Sequence, residues 1–411
     1  MTKYIQSTAA ITLTICLAVG LINYLVDPYC IYHFDSADAD RLSRIDQFYH
    51  MRLSKPRHLL QLKPDAVIVG TSRSATIKPL HASWTNNRGY NLSAPGMTLY
   101  EMLPFIQHAH ANGPLQKLMI GLDFEAFMTA EPQLRPGFAE SRLAKSHEEL
   151  ASVAYARQSL TDSADTLLSL SALSRSAAAL SGTGNASHRK YFRDGTWSTT
   201  SRFLVGKPGY VFVGNNRLAA HSRAKFRSGN NFSLFADILR FCQRQNIETR
   251  LFISPKHVFM IDLWYALGYA EDWQDFHQQL VALNKSVANE FNKEPFKLLG
   301  FNDASGIVDE PVYSPQESDN AWFQDGIHFR DQLGVKIMHS LWSDNESFGR
   351  VLNEESVASY LLNIDTLTTN FLDQKADVVN DIRERICRKT RIQRSAHENA
   401  KQPYCLIPLK L

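Results

Sequence analysis

Cysteine is scarce in this chain: five residues in 411, Cys16, Cys30, Cys242, Cys387 and Cys405. They are too few and too widely spaced for a disulfide scaffold. With no C-x-x-C pair among them, the sequence excludes a zinc knuckle and a thioredoxin-type redox site. An excess of one charge is also lacking, since 44 Lys and Arg stand against 41 Asp and Glu for a net charge of +3. No Lys/Arg stripe interleaved with aromatics occurs, so no nucleic-acid partner is expected. Strong compositional bias is missing, which excludes collagen-like, low-complexity and wholly disordered chains, and no internal repeat is present. What remains is an ordinary globular balance, 44% hydrophobic and 21% charged, in a chain long enough for one large domain with additions or two modest ones.

A long hydrophobic run is present. Residues 7–26 read STAAITLTICLAVGLINYLV without a charged side chain, about the 20 residues that cross a bilayer as a helix. A buried core helix rarely opens a chain in this way. A cleaved signal peptide has a shorter apolar region and ends at a small-x-small site, which the stretch before Asp27-Pro28 does not offer. The run is therefore read as an uncleaved anchor. Lys3 precedes it, and Asp27, Asp35, Asp38 and Asp40 follow, mixed with Arg41 and Arg44. This charge distribution favours a single pass with the amino terminus in the cytoplasm and the bulk of the chain outside.

After the anchor, residues 41–60 carry spaced apolar positions and predict a helix. The run 66–70 is short, apolar and β-branched between turn signals, as expected of a buried strand. Residues 89–92, 118–122, 249–253 and 297–301 repeat the type, with helical stretches at 99–111, 234–245 and 273–291. Strands alternating with helices predict an α/β fold: a doubly wound, mostly parallel sheet, here with an N-terminal transmembrane helix. The expected organisation is an anchor at 1–30, a linker and helix at 31–60, a main domain at 61–345 and a helical basic tail at 346–411. The main domain carries an Ala/Ser/Leu-rich insertion at about 129–230, read as a solvated helix or lid without chemistry. The tail clusters Arg383, Arg385, Arg388, Lys389, Arg391 and Arg394, most simply a solvated face; Cys387 and Cys405 would be able to pair in an oxidising compartment.

Ligands of open α/β sheets bind beyond the carboxyl ends of the strands. The residues expected there are Gly70-Thr71-Ser72-Arg73, the segment from Asn91 to Thr98, Asp123-Phe124, and Asp325-Gly326-Ile327-His328. Together they supply the parts of an acyl-transfer site. A serine hydroxyl needs a base within hydrogen-bond reach, and a histidine steadied by a carboxylate provides one. Asp325 and His328, three apart, are able to meet in one tight loop. The backbone N–H groups of Ser72 and Gly96 are the candidate donors to the oxyanion. Simpler readings exist for each: a helix-capping role for Ser72 or Ser74, a surface turn for Asp-x-x-His, a turn glycine at Gly96. Arg73 reads either as a contact to an anionic substrate or as a surface cation. His257 follows a strand and reads as a cleft residue or a satisfied loop histidine. No metal site is expected, because His108 and His110 would point about 200° apart on a helix.

These blocks resemble the SGNH (GDSL-type) hydrolase superfamily. Gly70-Thr71-Ser72-Arg73 is similar to its first block, with Thr71 where Asp is usual. The stretch from Asn91 to Thr98 is similar to the second and puts Gly96 at the glycine donor, and Asp325-Gly326-Ile327-His328 fits the last. The third block departs, with Asp123 at the position of the usual Asn donor; an ionised carboxylate only accepts hydrogen bonds. The resemblance covers roughly residues 60–345 outside the insertion. It implies a flavodoxin-like fold, catalysis by Ser72, Asp325 and His328, and an oxyanion or substrate-binding region at Gly96, Asp123 and Arg73, with no cofactor. It further implies an O-acyl esterase or O-acetyltransferase held at the inner membrane and facing the periplasm or cell exterior, with an exported envelope polysaccharide or other acylated carbohydrate as partner. The altered third block leaves a second reading, a catalytically silent scaffold that binds polysaccharide or an assembly partner.

Overall fold

Short aliphatic and β-branched runs assemble into a six-stranded sheet in a computed structural model of the chain. It describes residues 1–374 except 46, 49, 85–87, 129–134, 185–188, 200–230, 267, 311–320, 325 and 344–347. Asp325 and the basic tail with Cys387 and Cys405 thus lie outside the described residues. The strands are β1 (Ala66–Val69), β2 (Gly89–Asn91), β3 (Lys117–Leu122), β6 (Glu248–Ile253), β7 (Lys297–Gly300) and β8 (Arg350–Val351), with β4 (Arg189–Tyr191) and β5 (Trp197–Thr199) forming a separate hairpin. The sheet order is β2-β1-β3-β6-β7-β8; all pairs are parallel except β7 with β8. This is a mixed α/β architecture with a mostly parallel sheet. Every side chain of β1 is 0% exposed. Successive side chains of a strand point to opposite faces, so both faces of the sheet are covered there.

Helices follow the strands closely to the expected positions: α4 at Leu99–Asn112, α9 at Asn231–Arg244 and α11 at Ala270–Glu290. Thr98 and Glu101 start α4 with a reciprocal capping box, each side chain bonded to the other's backbone N–H. The helix expected over 41–60 is instead two, α2 (Ala39–Ser43) and α3 (Met51–Leu62). Apolar spacing continues across the break, but a turn closed by His50 N–H on Gln47 O at 2.9 Å restarts the helix. At the other end β8 precedes α13 (Val357–Gln374), whose Tyr360 hydroxyl accepts the Asn302 N–H at 3.0 Å.

Among the described residues one helix, α1 (Thr2–Val26), is long and apolar enough to cross a membrane, with mean hydropathy 2.1 over its best window. It ends at Asp27 in the left-handed region (φ 50°), whose carboxylate accepts the N–H groups of Ile31, Tyr32 and His33 at 2.7–3.0 Å. Within the insertion, Ser152 and Ser169 cap the helices α7 (Val153–Leu167) and α8 (Leu170–Leu180). These two helices do not stand apart as a lid: they pack on the carboxyl end of α1. The buried Asn23 amide donates to Leu167 O at 2.8 Å and Ser169 O at 3.2 Å, and its oxygen accepts from Ser176 Oγ at 2.9 Å.

Candidate functional site

The chain leaves β1 at Gly70, where an added Cβ would collide with the Ser74 side chain. No α-helix follows; a single 3-10 turn spans Ser74–Thr76, so neither serine serves as the cap of a long helix. Ser72 is partly exposed, and its Oγ lies 2.9 Å from His328 Nε2 across 256 residues of sequence. The His328 loop is held as a tight hairpin. Phe323 bridges Phe329, Gln324 N–H donates to His328 O at 2.8 Å, and Arg330 N–H donates to Trp322 O at 2.8 Å. The buried Glu310 carboxylate gathers the N–H groups of Ala321, Trp322 and Phe323 at 2.7–3.2 Å and fixes where the hairpin sits.

Arg73 is not a surface cation, being 5% exposed. Its Nη1 lies 2.9 Å from Asp123 Oδ1, its Nη2 2.5 Å from Glu125 Oε1, and its Nε donates to Ile327 O at 3.1 Å. Asp123 also accepts from Thr71 Oγ1 at 2.5 Å. Lys256, fully buried beyond β6, completes the cluster at 3.6 Å from Asp123 and 3.3 Å from Glu125. Both neighbours of Ser72 therefore end on Asp123, and Arg73 also ties down the residue before His328. Burial alone would raise the Asp123 pKa, but Arg73, Lys256 and Thr71 outweigh it and hold the carboxyl below its ordinary value. Burial, with Arg73 adding to it, lowers the Lys256 pKa. An ionised Asp123 accepts and does not donate. It sits where the resemblance places an oxyanion donor, and its oxygens face Arg73, Thr71 and Lys256.

Gly96 lies on the other side of Ser72. Its φ of +59° is open to glycine and strained for other residues. The turn is held from below: Arg52 Nη2 donates to Pro95 O at 3.1 Å while the same guanidinium grips Glu101 at 2.7 and 2.9 Å. Arg135 Nε donates to Gly96 O at 3.0 Å. Ala94 N–H donates to Gly70 O at 3.2 Å and joins this loop to the serine loop. The buried Asn91 amide donates to Ser74 O and Ile77 O, each at 2.8 Å. Among the described residues, the backbone N–H groups of Ser72 and Gly96 donate to no protein acceptor. The arrangement thus has a hydroxyl against an imidazole, two open N–H groups on adjoining loops, and a buried charge cluster beneath.

Not every candidate joins the site. His257 is fully buried, with Nε2 on Glu310 O at 2.8 Å and Nδ1 accepting from Phe259 N–H, and burial pushes its pKa down to about 4. It is a neutral structural histidine. His108 lies near Pro56 O and Ala144 N–H, whereas His110 accepts from Leu115 N–H, and the two share no ligand geometry. Glu125, Lys256, Arg52, Glu101 and Glu310 escape the sequence reading. The signal for two of them is position, since Glu125 and Lys256 each stand three residues beyond a strand end. No protein-family model matches this chain, and no curated protein matches it.

Proposed function

We propose that this chain is a serine-dependent O-acyl esterase or acyltransferase of the SGNH (GDSL-type) kind, acting on acylated, chiefly acetylated, envelope polysaccharide. The observation that carries it is the 2.9 Å contact of Ser72 Oγ with His328 Nε2 at the carboxyl ends of a parallel sheet. The order β2-β1-β3-β6-β7 supports a doubly wound, flavodoxin-like arrangement, with Ser72 beside the strand where the order reverses. In this scheme His328 Nε2 takes the Ser72 proton as Oγ bonds to the acyl carbon. The N–H groups of Ser72 and Gly96 receive the oxyanion. The intermediate collapses as the C–O bond to the sugar breaks, and the proton passes from His328 to the leaving alcohol. Water or a second hydroxyl then attacks the acyl-serine with His328 again as base. Asp325 is the proposed partner of the His328 ring, and α1 the proposed single-pass anchor with the sheet domain on the periplasmic side.

The silent-scaffold reading draws on one observation, the Asp123 carboxylate where the family places an amide donor. The Asp123 contacts favour a positioning role instead, because they restrain the residues on both sides of Ser72. Full-length protein in detergent is expected to hydrolyse p-nitrophenyl acetate, with activity lost in Ser72→Ala and reduced about 10²–10⁴-fold in His328→Gln. Equal rates for wild type and Ser72→Ala would favour the scaffold.

A further inference from the structure

The insertion between β3 and α9 presents an apolar surface beside α1. On α8, Leu170, Leu173, Ala177 and Leu180 share one side of the helix, following a spacing of three, four and three residues. Leu170 is 76% and Leu180 67% exposed, and Leu168, in the connection from α7, is 55% exposed. The one charged residue within α8, Arg175, is turned the other way, its guanidinium over the Tyr29 ring at 5.9 Å. Between Leu170 and Leu180, Leu173 is half-buried and Ser171 and Ser174 are exposed alongside; Leu180 borders Ile22, Leu25 and Val26 of α1 together with Asp38, Asp40, Arg41 and Arg44, the charged rim at the end of that helix. On the preceding helix Val153 is 85% and Leu160 71% exposed seven residues apart, with the exposed Arg157 between them on the same face.

Where this surface sits decides what covers it. The α7–α8 connection is pinned to Asn23 through the Leu167 and Ser169 carbonyls, and Leu168 Cδ2 would lie 3.7 Å from a Cβ at Gly20. Asn23 and Gly20 stand three and six residues before the end of α1 at Val26. At 1.5 Å per residue these positions are about 4.5 and 9 Å inside the helix end. That matches the roughly 5–10 Å to which the apolar face of an interfacial helix enters a bilayer. We infer that α7 and α8 form a second membrane contact, in which Leu168, Leu170 and Leu180 enter the lipid beside α1 and fix the orientation of the sheet domain over the bilayer. The inference rests on α1 spanning the membrane.

The occupant is phospholipid acyl chain, and photo-crosslinking identifies it. Full-length protein carrying p-benzoylphenylalanine at one position is placed in phospholipid nanodiscs and irradiated, and its intact mass is measured. Ile15, exposed on α1, reports whether that helix is in the bilayer; Leu362, exposed on α13, reports background. The expected result is a mass gain of one phospholipid at positions 15, 170 and 180, and none at 362. Lipid at 15 with none at 170 and 180 overturns the second contact while leaving the anchor in place. No lipid at 15 removes the anchor reading and this inference with it. A cross-linked dimer at 170 or 180 in place of lipid also overturns it, because the face then belongs to a second copy.

Discussion

Ser72 and its two neighbours meet residues far away in sequence, and the most informative of them is Asp123. The substitution Asp123→Asn installs the amide that the resemblance would lead one to expect, but it leaves Arg73 and Lys256 facing Glu125 as the remaining carboxylate of the cluster. Breaking a buried ion pair from one side costs about 3–5 kcal/mol. The variant is therefore expected to lose stability on that order in urea unfolding, and to react more slowly with p-nitrophenyl acetate. A variant as stable as wild type and faster would contradict the positioning role. The pH dependence follows from the same contacts. The Asp123 carboxyl is depressed in the folded protein below its ordinary 3.8, so its stabilisation is fully present above that value and is lost as pH falls through the lower folded value. Thermal melts across the acid range are expected to fall less steeply in Asp123→Asn than in wild type.

At the scale of elements, Lys55 on α3 shows how a helix is fastened beneath the sheet. Its ammonium nitrogen donates to Asn91 O at the end of β2 and to Gly195 O in the β4–β5 turn, at 2.5 and 3.0 Å. Burial pushes its pKa down to about 7 from an ordinary 10.5. Between those values the unfolded chain holds more protons than the folded one, so stability rises with pH across that window. Lys55→Met is expected to flatten the rise in melting temperature between pH 7 and 10, read by circular dichroism; an unchanged slope would assign the rise elsewhere. Elements with strong local signals are legible in the sequence. The run 66–70 becomes β1 at Ala66–Val69, and 99–111 becomes α4 at Leu99–Asn112. What lacks a local signal is not legible. β8 is two residues long and exists only by pairing with β7, and the turn that splits α2 from α3 interrupts a continuous apolar spacing. The Ser72–His328 meeting is anticipated by strand-end position, whereas Glu125 and Lys256 become partners only once β3 and β6 lie side by side.

For the whole molecule, α1 is tied to the rest of the chain by Asn23, by Leu168 beside Gly20 and by Arg41 Nη2 on Leu25 O and Val26 O, and Asn23 is the side chain that reaches both insertion helices. Asn23 sits in an otherwise apolar stretch and spends its amide on Leu167, Ser169 and Ser176. Asn23→Leu keeps α1 apolar while removing a donor from Leu167 O and the acceptor of Ser176 Oγ, at about 1–3 kcal/mol for each buried polar group left unpaired, whereas Ser169 O keeps the Leu173 N–H. Trypsin is then expected to cut after Arg175, half-buried on α8 in the native fold, sooner in the variant than in wild type. Equal digestion rates would show that α8 stays docked without Asn23. Such a connection joins the insertion to α1, which suits the proposed role on an exported polysaccharide.

Ser72 is proposed to be a nucleophile activated by His328. The most direct measurement treats full-length protein with a fluorophosphonate and maps the adduct by peptide mass spectrometry. A single phosphonyl group is expected on the peptide containing Ser72, absent in Ser72→Ala and strongly diminished in His328→Gln. Folded protein that remains unlabelled at Ser72, or labels equally well without His328, would contradict the proposal.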